Sequence, residues 1–339
     1  MSIHAMESPA SVVLEPPAPR RPIAARISWA ACSPCLAAAV ALLLHHVLPD
    51  QQTSFPSTGR YVLLLEILLG LGVLGIVLQL ILPKARPFVS SKAPLLALAI
   101  VAFCAWDLIT LKFAWMSLPY FPGPDMVLRG LVDEWRPLLI NASHSLLLLA
   151  SGYGIGTALG LISGVSMGWS SRVRYWGMPV LKLVGPIPAT ALIPLAMAVF
   201  SSSFFSGAAL IALAVWFPVT MLTASGVSNV RMSYLDVART MGASRLFLIF
   251  RVALPAATPS IFIGLFMGLG AAFLTLIAAE TVGVSAGLGY YLKWRQAYCE
   301  YDKVYAALLV MAVFFSAVMT ALFKVRDRLL VWQKGVIKW

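Results

Sequence analysis

The chain has 339 residues, of which 60% are hydrophobic and 11% are charged, and its net charge is +12. A soluble domain of this length cannot bury so much apolar surface, because surface-to-volume scaling limits the size of its core. The positive charge does not indicate a nucleic-acid partner, since no basic run is interleaved with aromatic residues. The composition predicts an all-α, polytopic protein embedded in a lipid bilayer.

Proline-rich residues 1–28 contain few large apolar side chains, which predicts a disordered tail. The rest of the chain contains apolar runs of about 20 residues, a length that crosses a hydrocarbon core of about 30 Å. A proline-rich loop at 118–124 precedes a short interfacial helix within 125–139. The predicted spans are about 29–48, 61–82, 94–115, 140–168, 178–200, 207–227, 257–280 and 304–324.

The basic residues are shared unevenly between the predicted loops. With a cytoplasmic N-terminus, the segments on that side hold 18 of the 25 Lys and Arg residues, and the opposite side holds 7. Cytoplasmic loops of membrane proteins carry such an excess. Both termini are therefore predicted to be cytoplasmic, which requires an even number of spans.

The cytoplasmic loop at residues 228–256 is too long for a tight turn and too short for a domain. Its first part predicts an amphipathic helix, which fits either the groove of a soluble partner or the lipid surface. Asp236 near its start would either cap or offset the helix dipole, or pair with an arginine of a partner. The apolar residues that share one face are Tyr234, Val237, Ala238 and Met241.

The second part of the 228–256 loop contains residues typical of helix ends. Gly242 suits a C-cap with positive φ, so it is predicted to form the bend between two helices. Ser244 suits the N-cap of the second helix. Pro255 is predicted to end that second helix before the next span begins.

This loop resembles the cytoplasmic signature of ABC importer permeases: Glu-Ala-Ala, three residues, Gly, nine residues, then Ile-x-Leu-Pro. The matching residues here are Asp236-Val237-Ala238, Gly242 and Val252-Ala253-Leu254-Pro255. The substitutions Asp for Glu, Val for Ala and Val for Ile keep the chemical character. Further stretches, including those at 185–188 and 287–290, resemble permeases for nitrate, taurine, alkanesulfonates and bicarbonate.

The resemblance implies a type I permease core of six spans over residues 94–339, preceded by two additional spans over 29–93. It implies an inner-membrane homodimer that forms the pathway for a small anion. Two ATP-binding subunits would dock on the loop and carry ATP and Mg²⁺, and a periplasmic solute-binding protein would deliver substrate. This chain would be no enzyme and bind no cofactor, since it has no Gly-x-x-x-x-Gly-Lys-Ser/Thr motif.

Prolines interrupt the apolar run at 178–200. Broken helices at membrane depth either line a cavity or are packed within protein, so this segment is a candidate lining of the pathway, with a packing kink as the alternative. Trp216 and Glu280 in later spans are further candidates for the pathway, and the alternative for each is a structural role. The candidate pathway residues are Pro186, Pro188, Thr190, Pro194, Trp216 and Glu280.

Intramembrane carboxylates support an alternative function, that of a secondary transporter driven by an ion gradient through Glu66, Asp107 and Glu280. Such carriers usually contain inverted repeats, which this sequence does not show. Since acids are costly in lipid, Glu66 and Asp107 are expected to face protein, either one another or the histidines at 45 and 46.

Two further patterns remain. Cys32 and Cys35 have the C-x-x-C spacing of a redox or metal pair but lack a second pair of ligands, so neither a metal site nor a membrane enzyme is favoured. Glycines recur at four-residue spacing between Gly156 and Gly168, which permits close helix contact. That contact would lie either within one permease subunit or between two.

Overall fold

The computed structural model describes residues 29–52, 58–82, 86–116 and 118–331, so the predicted tail at 1–28 lies outside it. Within these ranges the chain forms helices and turns and no strand, which confirms the all-α prediction. Seven of the described helices are long and apolar enough to cross a membrane, and a bent helix pair brings the number of candidate spans to eight.

The chain divides between residues 115 and 116 into two compact units. The described part of the first unit contains α1 (Trp29–Val47), α2 (Arg60–Ile81) and α3 (Arg86–Asp107), which a π-helical turn at Leu108–Lys112 extends. Helix α1 packs against both α2 and α3. The sequence assigned two spans to the additional region and placed the boundary at 93/94, whereas in the structure the third span packs with the first two.

The second unit begins with the short helix predicted within 125–139 and continues through the long apolar helices. Its described helices are α4 (Pro124–Asp133), α5 (Trp135–Trp169), α6 (Ser171–Val184), α7 (Ile193–Val199), α8 (Ser203–Ser228), α9 (Met232–Thr240), α10 (Arg245–Phe247), α11 (Leu254–Val282), α12 (Leu288–Ala297) and α13 (Tyr301–Leu329).

The core of the second unit is centred on α8, which packs against α5 on one side and α11 on the other. The glycines of α5 lie along its contact with α8. A Cβ atom on Gly156 would lie 2.5 Å from the carbonyl oxygen of Ala212 and 2.8 Å from the Cβ atom of Val215. The same close approach recurs at 152, 160, 164 and 168. The glycine seam is therefore inside one subunit.

The span predicted at 178–200 is broken at its prolines. Helix α6 ends at Val184, a 3₁₀ turn follows at Ala189–Leu192, and α7 then begins. The two halves are bent by 78°. The interruption predicted from the prolines is confirmed, and Pro186, Ile187 and Pro188 within it are exposed.

Candidate functional site

Helix α9 ends in a hydrogen-bonded cap that fixes the bend of the 228–256 loop. Gly242 has a φ of +79°, as predicted. Its N–H donates to the carbonyl of Arg239 at 2.9 Å, and the N–H of Ala243 donates to the carbonyl of Ala238 at 3.1 Å. These two bonds form a Schellman motif, which a residue with a Cβ atom would adopt only with strain.

The second helix of the loop begins where the sequence predicted. The Oγ atom of Ser244 accepts a hydrogen bond from the N–H of Phe247 at 3.3 Å, which caps α10. The helix then passes through a π-helical turn at Leu248–Ala253 directly into α11. The prediction that Pro255 ends this helix is wrong. Pro255 lies in the first turn of α11, and the preceding π turn shifts the hydrogen-bond register so that its missing N–H is tolerated.

The apolar face of α9 is uncovered. Tyr234, Val237 and Met241 are 52%, 62% and 83% exposed, while Leu235 on the opposite face is buried against the second unit. Ala238 is half-buried and lines an open concavity of about 440 Å³ at the bend, together with Met241, Gly242, Ala243, Ser244 and Phe247. Leu254 is half-buried and Pro255 is exposed.

Asp236 is not the cap of α9. It is the fifth residue of that helix, beyond the first turn, and the N-cap position belongs to Arg231. Its carboxylate instead accepts a hydrogen bond from Arg239 on the same helix at 3.0 Å, with both side chains about half exposed. The first alternative, a role at the start of the helix, is therefore wrong, and pairing with an arginine of a partner stays a prediction. An exposed ion pair of this kind contributes little stability and leaves both groups available to a partner.

The candidate pathway residues lie on three elements, namely the broken span, α8 and α11. Pro186, Pro188 and Pro194 are exposed on the broken span, and Thr190 is half-buried. The indole N–H of Trp216 donates to the Oγ atom of Ser163 at 3.1 Å, which links α8 to α5. The Trp216 ring also lines an apolar concavity of about 500 Å³ between α5, α6 and α8.

Glu280 occupies a closed site at the turn between α11 and α12. The residue is 1% exposed. One carboxylate oxygen accepts a hydrogen bond from the Oγ atom of Ser145 at 2.6 Å, and the other accepts from the N–H of Gly289 at 2.7 Å. The Ser145 Oγ atom in turn accepts from the N–H of Leu288 at 2.9 Å. Glu280 thus holds the start of α12, where helix N–H groups have no partner in the helix itself.

A second polar network, which the sequence did not indicate, joins the junction of α4 and α5 to α12. Arg295 donates to Glu134 at 2.8 Å and to Glu300 at 2.7 Å, and Lys303 donates to Glu300 at 2.8 Å. Burial acts to raise the pKa of Glu300, but the hydrogen bonds from Lys303 and Arg295 outweigh it and lower the pKa below its ordinary value. Burial raises the pKa of Tyr291, which lies beside Arg295, to about 12.

The intramembrane acids of the first unit have different environments. Asp107 is buried and pairs with the Nδ1 atom of His45 at 2.8 Å, as expected. Glu66 is exposed on α2, so the expectation that it faces protein is wrong. Cys32 and Cys35 are free thiols in α1. Among the described residues there is no group of three or more potential metal ligands.

Comparison with known protein families identifies the family of this chain. Residues 156–331 match the profile of a family described as "Binding-protein-dependent transport system inner membrane component". The chain belongs to this family. The match begins within the glycine seam of α5, and the matched range includes the 228–256 loop and Glu280.

Named relatives of this inner-membrane component are transport permeases. The taurine transport system permease protein TauC of Escherichia coli is 30% identical over 70% of this chain and 89% of its own length. SsuC of Bacillus subtilis, named for aliphatic sulfonates transport, is 35% identical over 48% of this chain and 59% of its own length. ThiX of Halalkalibacterium halodurans, a formylaminopyrimidine transport permease protein, is 27% identical over 64% of this chain and 87% of its own length.

Proposed function

We propose that two copies of this chain form the translocation pathway of a type I ATP-binding-cassette importer, and that the 228–256 loop couples transport to ATP hydrolysis on separate subunits. The observation that carries this proposal is the uncovered apolar face of α9 beside the bend at Gly242. Family membership supports it, because a binding-protein-dependent system needs further subunits.

The exposed face of α9 has the properties of a docking surface. Buried Leu235 anchors the helix to the second unit, so Val237 and Met241 on the other face are held outward. Transferring each such side chain from water into a partner's groove is worth about 1.5–3 kcal/mol. An amphipathic helix inserted in a groove through residues at i, i+3 and i+7 spacing is a common recognition mode, and Tyr234, Val237 and Met241 have that spacing.

The proposed cargo is a small anion of the organosulfonate or taurine type, with nitrate and bicarbonate as related candidates. TauC and SsuC, named for taurine and aliphatic sulfonates, support this class. A periplasmic solute-binding protein would deliver the anion, ATP and Mg²⁺ would bind the partner subunits, and both termini would be cytoplasmic. The ion-gradient alternative has weaker support, because Asp107 and Glu280 are both engaged in short hydrogen bonds.

The docking proposal is tested by co-purification of the tagged chain with its ATP-binding subunit and by an ATPase assay. Met241→Asp places a charge on the exposed apolar face, so the subunit should be lost and coupled ATPase activity should fall. Thr240→Asp is the matched control, since it adds the same charge to an exposed residue off that face. Equal retention of the subunit by both variants would overturn the proposal.

A second pair of variants tests the bend itself. Gly242→Ala and Gly59→Ala both place a Cβ atom at positive φ in open space, with φ values of +79° and +69°. Each should therefore cost about 1–2 kcal/mol of backbone strain. Only Gly242→Ala should uncouple ATP hydrolysis from transport. Undiminished transport by wild type in ATP-depleted vesicles under an ion gradient would favour the secondary transporter instead.

A further inference from the structure

A concavity of about 550 Å³ lies behind α9, on the side opposite its exposed apolar face. It is bounded by the C-terminal ends of α5 and α8, by the first turn of α6, by α9 and by the start of the second loop helix. Its lining includes Gly168, Trp169, Arg174, Ser228, Arg239 and Arg245. Three guanidinium groups from three different elements therefore border one cavity.

The three arginines are held differently. Arg174 donates to the carbonyls of Met167 and Gly168 at 3.1 Å each, which fixes its guanidinium at the end of α5. Arg239 shares one hydrogen bond with Asp236. Arg245 makes no hydrogen bond or ion pair with any part of the chain that the structure describes. Since a guanidinium has five N–H groups, each of the three retains donors for a ligand.

The surrounding sequence does not neutralise this charge. Between Glu134 and Glu280 the chain contains one acidic residue, Asp236, and eight Lys and Arg residues. The acid offsets one arginine at most, so the cavity keeps an excess of about two positive charges, a field that concentrates anions. No acidic residue is among the residues that line it.

We propose that this cavity binds a phosphate group, either the headgroup of an anionic lipid or a free phosphate. Planar guanidinium forks pair with phosphate oxygens through two parallel hydrogen bonds, and three of them can surround a tetrahedral anion. The Trp169 indole at the end of a membrane-spanning helix is typical of the lipid headgroup level.

The position of the cavity determines how a bound phosphate would affect the loop. On α9, Met232, Leu235 and Arg239 face the cavity, whereas Val237 and Met241 lie on the opposite side of the helix. A phosphate there leaves the docking face free and joins Arg174 of α6 to Arg239 and Arg245 of the loop. The ligand would therefore stabilise the position of α9 without competing with a docked subunit.

Binding is measured on the purified full-length chain with two probes: inorganic phosphate, and nanodiscs of phosphatidylcholine with or without phosphatidic acid. Retention of phosphatidic acid is read by native mass spectrometry, and phosphate affinity by calorimetry. Arg245→Gln should weaken binding about tenfold, since it removes charge-assisted hydrogen bonds. Arg251→Gln is the matched control, an exposed arginine of the same helical run that does not line the cavity.

A third variant controls for the possibility that weaker binding results from unfolding. Arg174→Lys keeps the charge at the end of α5 but removes the planar fork, so binding should weaken while the melting temperature is retained. Binding of both probes assigns the site to phosphate in general, and binding of phosphatidic acid alone assigns it to lipid. Equal weakening by Arg245→Gln and Arg251→Gln would show a diffuse surface charge effect and overturn the proposal, as would no binding of either probe.

Discussion

The buried carboxylate of Glu280 is the most informative target for mutation, because the structure assigns it a structural role while its place in a span could also suit transport. Glu280→Gln preserves the size of the side chain and one acceptor oxygen. The new NH₂ group then faces either Ser145 or Gly289, each of which donates to Glu280 in the wild type. One of the two hydrogen bonds is therefore lost.

The expected loss of stability follows from the number of buried hydrogen-bond donors that are left without an acceptor. Each buried donor that loses its partner costs about 1–3 kcal/mol. Glu280→Gln leaves one such donor, and Glu280→Ala leaves two, so the expected losses are about 1–3 and about 2–6 kcal/mol. In a unit of this size each kcal/mol lowers the melting temperature by about 2–4 °C.

The assay is thermal unfolding of the purified chain in detergent, followed by intrinsic tryptophan fluorescence. The melting temperature should fall in the order wild type, Glu280→Gln, Glu280→Ala. Ser145→Ala should also be destabilising, because it leaves the N–H of Leu288 without an acceptor. Ser143→Ala is its matched control, an exposed serine on the same helix. A Glu280→Gln variant with the wild-type melting temperature but no transport would refute the structural account.

Three other expectations concern the seam, the polar network and the first unit. Gly156→Ala should destabilise the chain by about 1–3 kcal/mol, because α5 and α8 must separate to admit the Cβ atom. Gly154→Ala should be neutral, because its Cβ atom would meet nothing within 4 Å. The free energy of unfolding in denaturant is compared between the two variants. The lowered pKa of Glu300 contributes stability that is complete above the unfolded-state value of about 4.3 and is lost as pH falls through the folded-state value. Glu300→Gln should flatten this acid dependence, which melting curves across pH measure, and an unchanged profile would contradict it. Lys112 is 4% exposed, and its ammonium donates to Asp50 at 2.6 Å and to the carbonyls of His45 and Leu48, so Lys112→Met should destabilise the first unit by about 1–3 kcal/mol. Lys92→Met, at an exposed lysine of the same unit, should leave the stability unchanged. Amide hydrogen exchange in α1 should be faster in Lys112→Met than in Lys92→Met.

Features set by local sequence were predictable. Apolar runs located the long helices, and the prolines at 186 and 188 located the break between α6 and α7. The bend at Gly242 and the cap at Ser244 also followed from the residues themselves, because their hydrogen bonds join positions within a few residues. The docking and pathway roles stay predictions, since no contact with a partner tests them.

Features set by hydrogen-bond register or by distant contacts were not predictable. The start of α9 at Met232 places Asp236 in the second turn, and the sequence pattern does not fix that start to within a turn. The π turn that carries the helix through Pro255 has no sequence signal. Ser145 and Glu280 lie 135 residues apart, so their hydrogen bond depends on how α5 and α11 pack. Glu66 is exposed because packing sets the rotation of α2.

The helical run from Arg245 to Val282 is continuous. Its 38 residues extend about 57 Å at 1.5 Å per residue. This length exceeds the hydrocarbon thickness of about 30 Å, so one end projects beyond the bilayer core. The bend at Gly242 adjoins one end of the run and Glu280 lies near the other. A push on the loop would pass along this run towards the α12 turn, and the π turn at Leu248–Ala253 and Pro259 within α11 are places where the run could bend.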